Sequence, residues 1–79
     1  MGNIDEAISD FIGNEFMQGT GRPEADTNLL QDEIIDSLGI FTLVGFVESQ
    51  FKVKVEPEEV NIGNFESVSA IAKLVESKL

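Results

Sequence analysis

The sequence predicts an all-α protein: a small four-helix bundle with three main helices, one short helix and a long loop between the first and second. Three observations predict it. Apolar residues recur at helical spacing in three segments. The stretch that looks extended, KVKVEPEEV, has no second strand to pair with. And 79 residues are enough for one domain, 1–79, and no more.

The first helix is expected over residues 4–17, where Ile4, Ala7, Ile8, Phe11, Ile12 and Phe16 share one face. Asn3, with Glu6 three residues later, resembles a capping box in which Asn3 takes the Ser/Thr part. After Met17 the periodicity stops, and QGTGRPEADTNLLQDEI reads as a loop of roughly 16 to 19 residues, a length that is usually functional or held down by its own side chains. Leu29, Leu30, Ile34 and Ile35 are its expected anchors. A second helix runs from Ser37 to about Phe51 despite Gly39 and Gly45. KVKVEPEEV then connects to a turn at Pro57, with Val53 and Val55 tucked inward, and EEVNIGNF holds one short helical turn. Ser67 is the expected N-cap of the last helix, whose stripe is Val68, Ile71, Ala72, Val75 and Leu79.

Composition narrows the function. The chain has no cysteine and no histidine, which removes thiolate metal sites, the commonest general base and the usual partner of a nucleophilic serine. Fifteen acidic residues against five basic ones give a formal net charge of −10. Phosphate backbones and anionic membranes are repelled, so nucleic-acid and membrane partners are not expected. Basic protein partners are favoured. The acidic residues lack the EF-hand pattern, so no metal site is expected beyond weak, charge-driven cation binding. No run approaches the length of a membrane span and the N-terminus has no signal-peptide pattern, so the expectation is a cytoplasmic monomer.

QDEIIDSLGIF, residues 31–41, is the stretch that packing alone does not explain. At 100° per residue, Ile40, Leu43, Val44, Val47 and Phe51 make a core stripe on the second helix. Ser37, Leu38, Phe41, Gly45 and Glu48 fall on the other side, where a solvated face should be polar. Leu38 and Phe41 either pack under the loop or form a partner-docking patch with Glu48 at its edge. Ser37 is either a helix cap or a serine placed to carry an anionic group, since the first turn offers unpaired N–H groups and the positive end of the helix dipole. Catalysis by Ser37 is excluded by the missing base, and no catalytic residues are assigned.

At IIDSLGI the sequence resembles the acyl carrier proteins, four-helix domains that carry a 4′-phosphopantetheine arm on the serine of a DSL motif, here Asp36, Ser37 and Leu38. A first helix, a long loop with a leucine pair, the motif at the start of the second helix and ESVSAIAKLVESKL at the end follow the family order. The resemblance implies that a phosphopantetheinyl transferase, using coenzyme A and a metal ion, attaches the arm to Ser37. Its thiol then holds an acyl or aminoacyl group as a thioester, which is presented to loading and synthase enzymes with basic or apolar docking patches, in fatty-acid, polyketide or related specialised biosynthesis. It further implies that Asp36 positions the serine or the transferase's metal, that Leu38, Phe41 and Glu48 meet partners, and that Leu43, Phe46 and Val47 line a pocket for a bound chain. Glu48 is the one carboxylate of the second helix after the serine, which weakens charge steering and leans toward a specialised carrier. Phe46 either fills such a pocket or is plain core. A D-alanyl or other aminoacyl carrier is the alternative within this class. An unmodified acidic helical adaptor, with Ser37 only a cap, is the alternative outside it.

Overall fold

The computed structural model describes residues 3–19 and 21–79, with the Asn3 side chain left out. Helices α1 (Asn3–Phe16), α2 (Ser37–Phe51), α3 (Ile62–Phe65) and α4 (Val68–Lys78) follow in order, with a 3₁₀ turn, Pro57–Glu59, before α3. The described residues contain no strand. The all-helical architecture with one short helix is the expected one, and the radius of gyration, 11.2 Å, is that of a compact chain of this length.

The apolar stripes explain the packing. Ile8 and Ile12 of α1, Leu43 and Val47 of α2, and Val68, Ile71 and Val75 of α4 are fully buried and meet in one core with Phe65 of α3. α1 and α3 both pack on α4. Phe46 of α2 stacks on Phe11 of α1 with ring centroids 4.0 Å apart, and Phe51 meets Phe46 edge-on, so an aromatic seam joins α2 to α1. α4 opens at the cap expected for it, the Ser67 hydroxyl accepting the Ala70 N–H at 3.1 Å. Its stripe is corrected at one end: Leu79 lies beyond the last helical residue and is exposed, while Leu74 is buried in the core. The proposed cap at Asn3 lies outside the described side chains.

The connection between α1 and α2 covers residues 17–36, slightly longer than expected. α1 stops where Gln18 and Gly19 turn left-handed, and the Gly19 N–H reaches back to the Gly13 carbonyl at 2.9 Å. The loop is pinned at several points. Leu29 is fully buried, and its N–H donates to the Glu66 carbonyl at 2.7 Å. Arg22 bridges to Asp10 of α1 at 2.7 Å, and the Gly21 carbonyl passes so close to Gly13 that a side chain there would collide with it. Leu29 also accepts the N–H groups of both Ile34 and Ile35, which folds the segment just before α2 into a compact turn. These contacts fix where α2 begins.

After α2, Lys52 turns left-handed with φ 58°, and residues 53–56 have no regular secondary structure and no partner strand among the described residues. Val55 is buried and Val53 half-buried, as expected for inward-facing anchors. The turn at Pro57 is a 3₁₀ turn, which the sequence reading did not specify; Pro at its first position supplies the required φ.

Candidate functional site

Asp36 adopts extended backbone and its Oδ1 accepts the Gly39 N–H at 2.8 Å, so Asp36 is the N-cap of α2. Ser37 therefore stands at the first helical position and is not the cap. It is exposed, and among the described residues its hydroxyl has no hydrogen-bond partner. The cap reading of Ser37 fails for a geometric reason: one acceptor side chain suffices to hold the orphan first-turn donor, and the residue before Ser37 provides it.

The face assignment on α2 matches the structure. Ile40, Leu43 and Val47 are buried, and Val44 and Phe51 are half-buried against them. On the opposite side Leu38 is 74% exposed and Phe41 65% exposed, so neither packs under the loop or under another helix. Large apolar side chains this open on one helical face are a candidate contact surface. Glu48 has a different environment: it is half-buried and its Oε2 accepts the Val55 N–H at 2.9 Å, tying the following segment back onto α2. The outer face of α2 is thus dominated by Ser37, Leu38, Phe41 and uncharged neighbours, with one carboxylate oxygen of Glu48 turned inward.

A groove of about 330 Å³ opens beside Ser37, lined by Phe16 from the end of α1, residues 33–36 of the loop, and Leu38, Gly39 and Thr42 of α2. Gly39 is buried at its floor, where an added Cβ would sit 3.1 Å from both the Ile35 Cβ and the Phe16 ring. Sequence reasoning missed this groove. The available signal was Gly39 itself, since a glycine inside a helical pattern costs about 1 kcal/mol relative to alanine and so raises the question of what packs against it. Leu43, Phe46 and Val47 are the residues expected to line a pocket, with plain core as the alternative for Phe46. Leu43 and Val47 are sealed in the core, Phe46 is occupied by its stacking on Phe11, and neither this groove nor the two on the α4 side reaches them. Another groove, about 530 Å³, runs along α3 and α4 past Asn64, Ser67, Lys73 and Ser77, with no element of the Ser37 site among its walls.

No polar or charged residue is buried among the described residues, so no titratable group is sequestered as an internal acid or base would be. Nor do three acidic side chains gather into a metal site among them. Among the described residues no helix is long and apolar enough to cross a membrane. What the site offers is an accessible hydroxyl on a rigid helical start, flanked by apolar contacts.

No family model matches the chain. The chain is similar to the Probable acyl carrier protein PigG of Serratia sp., with 28% identity over 74 residues that cover 92% of this chain and 85% of that protein.

Proposed function

We propose that the chain is an acyl carrier protein, holding an acyl or aminoacyl group as a thioester on a 4′-phosphopantetheine arm joined to Ser37. The observation that carries this reading is the division of roles at the start of α2. Asp36 supplies the cap, which leaves the Ser37 hydroxyl exposed and without a hydrogen-bond partner among the described residues. The similarity to a probable acyl carrier protein supports it independently.

The residues present fit such an arm. A phosphodiester on Ser37 would stand at the first turn of a 15-residue helix, where backbone N–H groups and the helix dipole favour negative charge. In the modification Ser37 Oγ displaces adenosine 3′,5′-bisphosphate from the phosphorus of coenzyme A and gives up its proton. The chain has no histidine or cysteine to take that proton, and we assign the base to the transferase. Once attached, the arm supplies the thiol that the protein lacks. The chain itself contributes position: the cargo is tethered, so successive enzymes meet it at high effective concentration. Asp36 fixes the register of the serine through its cap and offers its second carboxylate oxygen to the transferase's metal. Leu38 and Phe41 form the docking contact, with Glu48 at its edge.

The test is the intact mass after incubation with coenzyme A, a magnesium salt and a broad-specificity phosphopantetheinyl transferase, beside Ser37→Ala. The carrier reading requires a gain of one phosphopantetheine on the wild type and none on the variant. An unmodified, folded wild type, with a control carrier modified in parallel, leaves the adaptor reading in its place.

A further inference from the structure

The groove beside Ser37 lies on the α1 side of α2, and two of its lining residues, Asp36 and Leu38, are the immediate neighbours of Ser37. A group attached to the Ser37 hydroxyl therefore starts at the groove's edge. We propose that this groove, between the end of α1, the turn before α2 and the first turn of α2, seats the neutral, amide-bearing part of the arm. This inference rests on the carrier reading and adds to it where the arm goes.

The chemistry of the walls selects the occupant. Phe16, Ile34 and Leu38 present apolar surface, while the Thr42 hydroxyl can both donate and accept a hydrogen bond. Such a mixed lining suits amides joined by short aliphatic links better than a long hydrocarbon chain. Glu33 and Asp36 are among the lining residues, and their negative charge disfavours the phosphate in the groove while the uncharged part turns in. Size agrees: about 330 Å³ is near the lower end of the roughly 300–1,000 Å³ typical of small-molecule sites. It holds part of an arm, not an arm with a long chain behind it. The groove also depends on Gly39, because a side chain at that position would press on Phe16 and Ile35 at its floor. Leu43 and Val47 beneath α2 are fully buried and line none of the grooves described.

Two-dimensional NMR of the isotope-labelled chain before and after modification, with the intact mass recorded on each sample, tests this. The expected result is a shift of the Phe16 ring, Ile34, Gly39 and Thr42 resonances on modification, with nuclear Overhauser contacts between the arm's methyl protons and the Phe16 ring. Thr42 is exposed, so Thr42→Trp fills the groove from its solvent side. In the fraction of that variant whose mass shows the arm attached, the shifts at Phe16 and Ile34 are expected to be lost. A modified wild type whose shifts stay within residues 36–38, or centre on Ile62 and α3, overturns the groove assignment and leaves the carrier reading intact. No mass gain overturns both.

Discussion

Replacing Asp36 by alanine and, separately, by asparagine isolates the interaction on which the site depends. In the structure Asp36 Oδ1 accepts the Gly39 N–H at 2.8 Å, and Ser37 makes no equivalent bond. Losing an N-cap acceptor costs about 0.5–2 kcal/mol. For a chain of this size each 1 kcal/mol lowers Tm by about 4–8 °C, so Asp36→Ala is expected to lower it by roughly 2–16 °C, centred near 6 °C. Asparagine keeps an acceptor oxygen in the same place and loses only the charge, whose interaction with the helix dipole is about 0.3–1 kcal/mol at an exposed terminus. Ser37→Ala removes an exposed hydroxyl that has no partner among the described residues and is expected to stay within about 0.5 kcal/mol of the wild type. Thermal unfolding by circular dichroism ranks the three variants, and a modification assay on each separates cap from charge. Asp36→Asn should remain nearly as stable as the wild type yet be modified more slowly if the carboxylate serves the transferase's metal. The reasoning is refuted if Ser37→Ala lowers Tm by several degrees while Asp36→Ala leaves it unchanged, because Ser37 would then be the cap.

Other substitutions reach the remaining parts of the account. Leu43 is fully buried, so Leu43→Ala should lower stability by about 2–5 kcal/mol in denaturant unfolding; a negligible change would mean that the faces of α2 are reversed. Phe41 is 65% exposed, so Phe41→Ala should slow modification or cargo transfer while Tm moves little, and a large Tm loss would make it a packing residue. Glu48→Ala removes the acceptor of the Val55 N–H and should cost about 1 kcal/mol, with faster amide exchange at Val55; unaltered exchange would show that this bond does not hold the segment. Glu59 is bonded to Lys78 at 2.7 Å and accepts the Glu56 N–H, and these contacts, Lys78 first, hold its carboxyl below the ordinary value of 4.5. A lowered folded value contributes stability above the unfolded pKa that is lost as pH falls through the folded one. The Tm difference between wild type and Glu59→Gln should therefore be larger at pH 7 than at pH 3, and an equal difference at both would show that the ion pair contributes nothing.

The helical architecture and most of the core were legible because periodicity states which face of a helix is buried. The same angular reasoning placed Leu38 and Phe41 outside the core, although only the structure showed that nothing covers them. What stayed hidden depended on contacts between segments distant in sequence. Glu48 looked like a free rim carboxylate because its bond to Val55 arises from how the chain doubles back after Lys52. Phe46 read as either pocket lining or plain core, and its stacking on Phe11 of another helix is a contact the local pattern does not encode. The groove beside Ser37 needs the end of α1 and the turn at residues 33–36 to converge on Gly39, and no local pattern encodes that convergence. The cap was closer to hand: aspartate and serine both favour the N-cap, and the loop contacts that set the start of α2 decide between them.

The most direct measurement on the central claim is tandem mass spectrometry of the chain after treatment with coenzyme A and the transferase, because it assigns the added group to a residue. The account predicts one phosphopantetheine per chain, carried wholly on Ser37. The same group on another hydroxyl, such as Thr42 or Ser49, or no added mass on a folded chain, contradicts it.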